Sequence, residues 1–170
     1  MRNDRTGTLS GTKINSLSGL KRKIERLRRN GKRIVFTNGC FDILHYGHTK
    51  YLQDARAKGD YLVVAVNSDS SIRRIKSRNR PVINEYDRLK VVEALGCVDF
   101  VVLFKEDNPL KLIMALKPDI LVKGSDWKKK SIVGADFVKS YGGKVLTINL
   151  VKGRSTSAII KKITRLFGDK

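Results

Sequence analysis

Apolar residues recur along this chain in two alternating rhythms. Leu17, Leu20, Ile24 and Leu27 stand three and four residues apart, the spacing of one helical face. Ser16 is placed to cap that helix and Asn30-Gly31 to end it, which predicts a helix over 16–29. Short continuous apolar runs follow at 33–37, 61–67 (YLVVAVN), 100–104, 120–122 and 144–150. Runs without polar alternation are those of parallel strands buried on both faces. Helical stretches separate them: 47–58 stopped by Gly59, a short basic one over 69–76, and 85–95 capped by Asn84 and closed by Gly96. Another opens at Asn108-Pro109 and stops before Pro118, one spans 134–141, and the last covers 155–167.

Strands alternating with helices predict an α/β fold. We expect a single Rossmann-like domain over 13–170, an open parallel five-stranded sheet flanked by helices, with the 16–29 helix at its N-terminal end. Residues 1–12, rich in Gly, Ser and Thr, read as a loose lead-in. Open parallel sheets bind ligands beyond the carboxyl ends of their strands. The segment 38–48 leaves the carboxyl end of the first core strand, so it falls where a ligand would sit.

Composition narrows the class. A chain of 170 residues with 41% hydrophobic content can bury one sizeable core. No apolar run approaches a membrane span, and the basic N-terminus lacks the apolar segment of a secretory signal. Cys40 and Cys97 make neither a metal cluster nor a disulfide framework, so the chain reads as cytoplasmic and reduced, with both thiols in packing roles. The net charge of +20 calls for anionic partners. It is uneven: residues 1–33 hold eleven Lys and Arg against Asp4 and Glu25, 73–80 hold five, and Lys128-Lys129-Lys130 form a third cluster. Each cluster taken alone can be an ordinary solvated face. A nucleic-acid-binding protein is the alternative of a different class. No aromatic stacking platform, helix-turn-helix or zinc-finger spacing supports it.

Both histidines of the chain lie in one run, Thr37-Asn38-Gly39-Cys40-Phe41-Asp42-Ile43-Leu44-His45-Tyr46-Gly47-His48. At a helix start, residues three apart share a face, beside unpaired backbone N–H groups and the positive end of the helix dipole. Gly47 between them lets a phosphate approach the backbone. Two imidazoles so placed can donate to phosphate oxygens and stabilise charge that develops in phosphoryl transfer. No clustered third ligand makes them a metal site.

The run N-G-C-F-D-x-L-H-x-G-H resembles the signature of the cytidylyltransferase-like nucleotidyltransferases with an HxGH motif. Further blocks follow in the family's order: Val66-Asn67-Ser68-Asp69, Arg80-Pro81-Val82, Asp87-Arg88, Asp119 to Trp127, and Arg154-Ser155-Thr156-Ser157. Together they cover roughly residues 14 to 165. Within the family the chain looks most like the adenylyltransferases that activate D-glycero-β-D-manno-heptose 1-phosphate, found fused behind a kinase or as separate chains; the leader sequence fits the separate form.

The resemblance implies that a sugar 1-phosphate attacks the α-phosphorus of ATP and pyrophosphate leaves, with Mg²⁺ carried on the ATP phosphates and no metal cluster in the protein. It implies that His45 and His48 bind the phosphates and that Thr37, Asn38, Gly39 and Phe41 shape the nucleotide pocket. Asp42 would orient the loop or a cation. Lys123, Gly124, Asp126 and Trp127 would line the site, Trp127 either stacking on the base or bracing the loop. Arg154, Ser155 and Thr156 would hold the β- and γ-phosphates, although Ser155 and Thr156 also read as a plain helix cap. Arg73, Arg74, Lys76 and Arg80 are all candidates for the acceptor phosphate, as is Arg88 unless it is an exposed helical arginine. A homodimer is implied, with the 16–29 helix as the candidate contact. The related alternatives are a cytidylyltransferase for glycerol or choline phosphate and a flavin adenylyltransferase.

Overall fold

The computed structural model describes residues 12–126 and 132–168. Trp127, the Lys128–Lys130 cluster and residues 1–11 of the lead-in lie outside the described residues. The expected α/β architecture is present. In chain order the elements are α1 (Leu17–Arg29), β1 (Ile34–Gly39), α2 (Tyr46–Arg56), β2 (Tyr61–Asn67), α3 (Asp69–Ile75), α4 (Glu85–Ala94), β3 (Phe100–Phe104), α5 (Leu110–Leu116), β4 (Ile120–Gly124), α6 (Ala135–Ser140), β5 (Lys144–Ile148) and α7 (Thr156–Phe167). No helix among the described residues is long and apolar enough to cross a membrane.

The five strands are parallel in the order β3-β2-β1-β4-β5. The chain winds outward from β1 to β3, then returns to the other side of β1 for β4 and β5. The order therefore reverses between β1 and β4, and a crevice opens beyond their carboxyl ends. β1 runs two residues further than its apolar pattern implies, because Asn38 and Gly39 continue the register against Ala65 and Val66 of β2. β4 likewise runs on to Gly124, paired with Ile148. Asn38, Lys123 and Gly124 thus sit on the rigid sheet rather than in loops.

The unbroken apolar runs are explained by two cores. One face packs Phe36, Val63, Ala65 and Leu121 against Leu20 and Ile24 of α1, Ile113 of α5 and Val138 of α6. The opposite face packs Val35, Leu62, Val64 and Val122 against Leu52 and Ala55 of α2 and Val92 of α4. Alternate residues of each strand serve alternate faces.

Of the apolar stripe of α1, Leu20 and Ile24 are fully buried inside the domain and Leu27 packs beside them. What α1 leaves outward is chiefly basic. Thr12, the one described residue of the lead-in, and the residues after it are bonded to the domain. Thr12 Oγ1 and Lys13 N–H both donate to Glu93, and Asn15 N–H donates to Val101 O while Val101 N–H donates to Lys13 O. That short ladder covers the outer edge of β3, which would otherwise expose unpaired backbone groups.

Candidate active site

β1 ends in the crevice, and the chain must turn at once to begin α2. Phe41 makes the turn in the left-handed region, at φ 47°, with its ring buried. A β-carbonless neighbour matters one turn later. A Cβ on Gly47 would lie 2.9 Å from His45 Cε1 and 3.2 Å from Arg154 Cβ, so only glycine lets the His45 ring and the start of α7 close over this turn.

His45 is the N-cap residue of α2, but its side chain makes no capping hydrogen bond. It turns instead over His48, the rings stacked with centroids 4.0 Å apart, and Phe41 meets His48 edge-on at 5.4 Å. Nδ1 of both histidines is buried without a hydrogen-bond partner. Two orphaned buried ring nitrogens are costly unless something supplies partners, which a phosphate does. Burial, reinforced by the neighbouring His45, pushes His48 down to about 4, against a smaller opposing pull from Asp42. Burial and the Arg154 charge lower His45 as well. Both rings are therefore neutral at pH 7, each with one N–H to donate.

The cavity around them measures about 410 Å³. It is walled by the ends of β1 and β4, the turn into α2, the segment 75–80, and the start of α7. Asn38, Gly39, Phe41, Asp42, His45, His48, Lys76, Arg80, Lys123, Gly124, Asp126, Arg154, Ser155 and Thr156 all line it. Ser155 caps α7 by accepting from Ala158 N–H at 3.1 Å. The first-turn N–H groups of α7 have no intrahelical partner and stand at the cavity wall.

The anionic and cationic groups have distinct partners. Asp42 is fully buried. It accepts from Arg80 Nε at 2.6 Å, Val82 N–H at 2.9 Å and Ile83 N–H at 2.8 Å. Burial opposes ionisation, but the Ile83 and Val82 N–H groups and Arg80 outweigh it and hold the carboxyl below its usual range. Asp42 thus orients the loop and fixes Arg80. Lys123 Nζ reaches Asn38 Oδ1 at 2.5 Å, and burial lowers it to about 8, with Asp126 pulling the other way. Burial raises the Cys40 thiol, so it is a protonated wall group and no nucleophile.

Four expected residues lie elsewhere. Arg88 is fully buried beneath the site and does not line this cavity: it donates to Ile83 O at 2.9 Å, Cys40 O at 2.6 Å and Asp69 Oδ1 at 2.7 Å. An inward-facing position on α4 puts it under the loop, so it is neither exposed nor free to meet a phosphate. Arg74 turns outward to Asp107 and Lys105 O. Arg73, beside it on α3, is exposed and outside the cavity wall. Thr37 lies one residue too deep, its Oγ1 2.7 Å from Tyr51 OH. Trp127 is not among the described residues. The wall also contains Tyr51, Asn67, Ile75, Leu150, Val151 and Ser157, which sequence reasoning did not select. Asn67, a polar residue ending an apolar strand beside β1, and Ser157, within the Arg154–Ser157 block, did carry a signal.

The cytidylyltransferase-like family model matches residues 36–165. The bifunctional protein HldE of Geobacter metallireducens is 53% identical over 161 residues, covering 95% of this chain and 33% of that protein. The bifunctional protein HldE of Helicobacter pylori is 53% identical over 150 residues, 88% of this chain and 32% of that one. The chain spans about a third of the length of these curated relatives. Among solved structures, a lipopolysaccharide core biosynthesis protein from Thermoplasma volcanium superposes with a TM-score of 0.60 at 33% identity, covering 73% of this chain and all of that one.

Proposed function

The chain belongs to the cytidylyltransferase-like family, and from that premise we propose that it transfers AMP from ATP to a sugar 1-phosphate, releasing pyrophosphate. The acceptor that the motif blocks favour is D-glycero-β-D-manno-heptose 1-phosphate, with ADP-heptose as product. The similarity to a lipopolysaccharide core biosynthesis protein supports an acceptor of that class.

The observation that carries this reading is the stacked, neutral His45–His48 pair with its two unpartnered nitrogens, facing the first turn of α7 across one cavity. An acceptor phosphate oxygen forms the new bond to the α-phosphorus, and the α–β bridging bond breaks in line with it. His45 and His48 donate N–H groups to the phosphate oxygens as charge builds there. Arg154 and the N–H groups of Thr156 and Ser157 hold the β- and γ-phosphates. Arg80, pinned by Asp42, and Lys76 receive the acceptor phosphate. Positioning and charge stabilisation suffice, because the attacking group is already an anion.

Mg²⁺ is carried by the ATP phosphates in this reading, where it supplies charge neutralisation. Among the described residues no cluster of three or more His, Cys, Asp or Glu could hold a metal. Asp42 has its oxygens engaged by Arg80, Val82 and Ile83, so Asp126 is the cavity carboxylate that fits such a cation.

The test is pyrophosphate release from ATP and from CTP with heptose 1-phosphate, glycerol 3-phosphate and choline phosphate as acceptors. Turnover of ATP with the heptose phosphate is expected. A strong preference for CTP would sink the adenylyl assignment, and turnover confined to glycerol or choline phosphate would sink the acceptor.

A further inference from the structure

Strands β1 and β4 meet where the sheet order reverses, and they stay paired only briefly: Val35 with Ile120 and Phe36 with Leu121. Beyond that each strand keeps to its outer neighbour, β1 as far as Gly39 against β2 and β4 as far as Gly124 against β5. Side chains bridge the gap that opens between them. At the deeper level Tyr51 OH stands 2.7 Å from Thr37 Oγ1 and donates to Val122 O at 3.2 Å. At the next level, where alternation turns side chains to the opposite face, Lys123 Nζ donates to Asn38 Oδ1 at 2.5 Å. Asn38 and Lys123 both line the cavity.

An ammonium group donates and never accepts, so the Asn38 atom that faces it must be Oδ1. That fixes which way the amide stands. Nδ2 is turned from the lysine, and among the described residues it has no hydrogen-bond partner. We propose that Lys123 is a positioning residue: by holding the Asn38 oxygen, it keeps the amide NH2 directed at an acceptor atom of the nucleoside part of the bound nucleotide. This rests on the reading of the cavity as an ATP site. That reading gives the ATP phosphates to His45, His48 and the start of α7, and the acceptor phosphate to Lys76 and Arg80. The cavity floor between β1 and β4 is left to the base and ribose.

Stability does not account for this lysine. Only 9% of it is exposed. Burial holds its pKa down to about 8, against the opposing pull of Asp126. A lysine whose folded pKa lies below its unfolded one destabilises the fold at neutral pH. An apolar side chain of similar length in its place is neutral or stabilising. A directed amide gives the buried charge a purpose that packing does not.

Calorimetric titration with ATP, and separately with inorganic pyrophosphate, tests this on the natural chain, Lys123→Met, Asn38→Ala and the double variant. Each single variant should bind ATP about tenfold more weakly, as expected for one lost hydrogen bond. The double variant should lose no more than Asn38→Ala alone, because the lysine acts through the amide. Pyrophosphate, which has no nucleoside, should lose less than about twofold in Lys123→Met. The melting temperature of Lys123→Met should stay level or rise. In turnover, KM for ATP should rise by about the same tenfold with kcat nearly flat, the mark of an interaction made equally in ground and transition states. Additive losses in the double variant, equal losses for ATP and pyrophosphate, or a Lys123→Met chain that binds ATP normally or melts well below the natural one would overturn the proposal and leave the ATP reading intact. A natural chain that binds no ATP would overturn both.

Discussion

A histidine held at a pKa of about 4 makes a stability statement as well as a catalytic one. The unfolded chain binds the His48 proton near pH ~6.5 and the folded chain only near 4. Between those values the unfolded state carries more protons, so stability is full above about 6.5 and drains as pH falls toward 4. This group alone should remove about 2 kcal/mol between pH 7 and 4.5. Urea unfolding at both pH values should show His48→Gln losing less than the natural chain, with kcat lower by about 10²-fold or more at pH 7. Equal acid sensitivity of the two proteins would contradict the burial argument. At this scale the sequence announced the pair because H-x-G-H is a local pattern whose chemistry needs only one turn of helix. It could not announce that Arg88 points inward or that Thr37 sits one residue too deep. Those facts depend on which face of α4 meets the loop and on where β1 stops.

Elements decide which charges matter. Arg74–Asp107 and Arg88–Asp69 are both close ion pairs, at 2.6 and 2.7 Å. The first is half exposed and contributes ~0–1 kcal/mol. In the second the arginine side chain is wholly buried and also holds Cys40 O and Ile83 O. It straps the β1–α2 loop, the 80–84 loop and the start of α3 to α4. Losing one partner of a buried, hydrogen-bonded pair costs about 3–5 kcal/mol. Arg88→Leu should therefore lower the melting temperature by on the order of 10 °C. Arg88→Lys should rescue little, since an ammonium cannot span three acceptors in a plane. Arg74→Leu should shift it by about 2 °C or less, and thermal melts of the three variants decide the matter. Periodicity and turn residues made every strand and helix legible. Lengths erred at β1 and β4, where ladder pairing carries Asn38 and Gly124 beyond the apolar run, and at β5, which stops at Ile148, where its pairing with Gly124 ends, two residues short of the expected 150. The covered β3 edge was invisible because a four-residue bridge has no period of its own.

At the scale of the whole molecule, the charge of +20 exceeds what one phosphate site requires. Lys76, Arg80, Lys123 and Arg154 line the cavity, but Arg22, Arg26 and Arg29 on α1 and Lys161 and Lys162 on α7 stand in solvent. Charges so placed touch no substrate in the proposed pose, yet their summed field draws polyanions toward the crevice. With a screening length of ~10 Å at 0.1 M salt, added salt removes that long-range pull while leaving contacts inside the cavity largely intact. For ATP, kcat/KM should fall by about tenfold between ~0.02 and ~0.5 M ionic strength, with kcat nearly flat. Replacing Arg22, Arg26 and Arg29 together by Gln should flatten the slope at low salt without altering kcat. The same field bears on the nucleic-acid alternative. Random duplex bound tightly at physiological salt, with no pyrophosphate released from any nucleotide, would mean the surface charge serves a polymer instead of steering a triphosphate. Weak duplex binding that vanishes with salt, beside salt-graded turnover of ATP, would assign the excess charge to substrate capture.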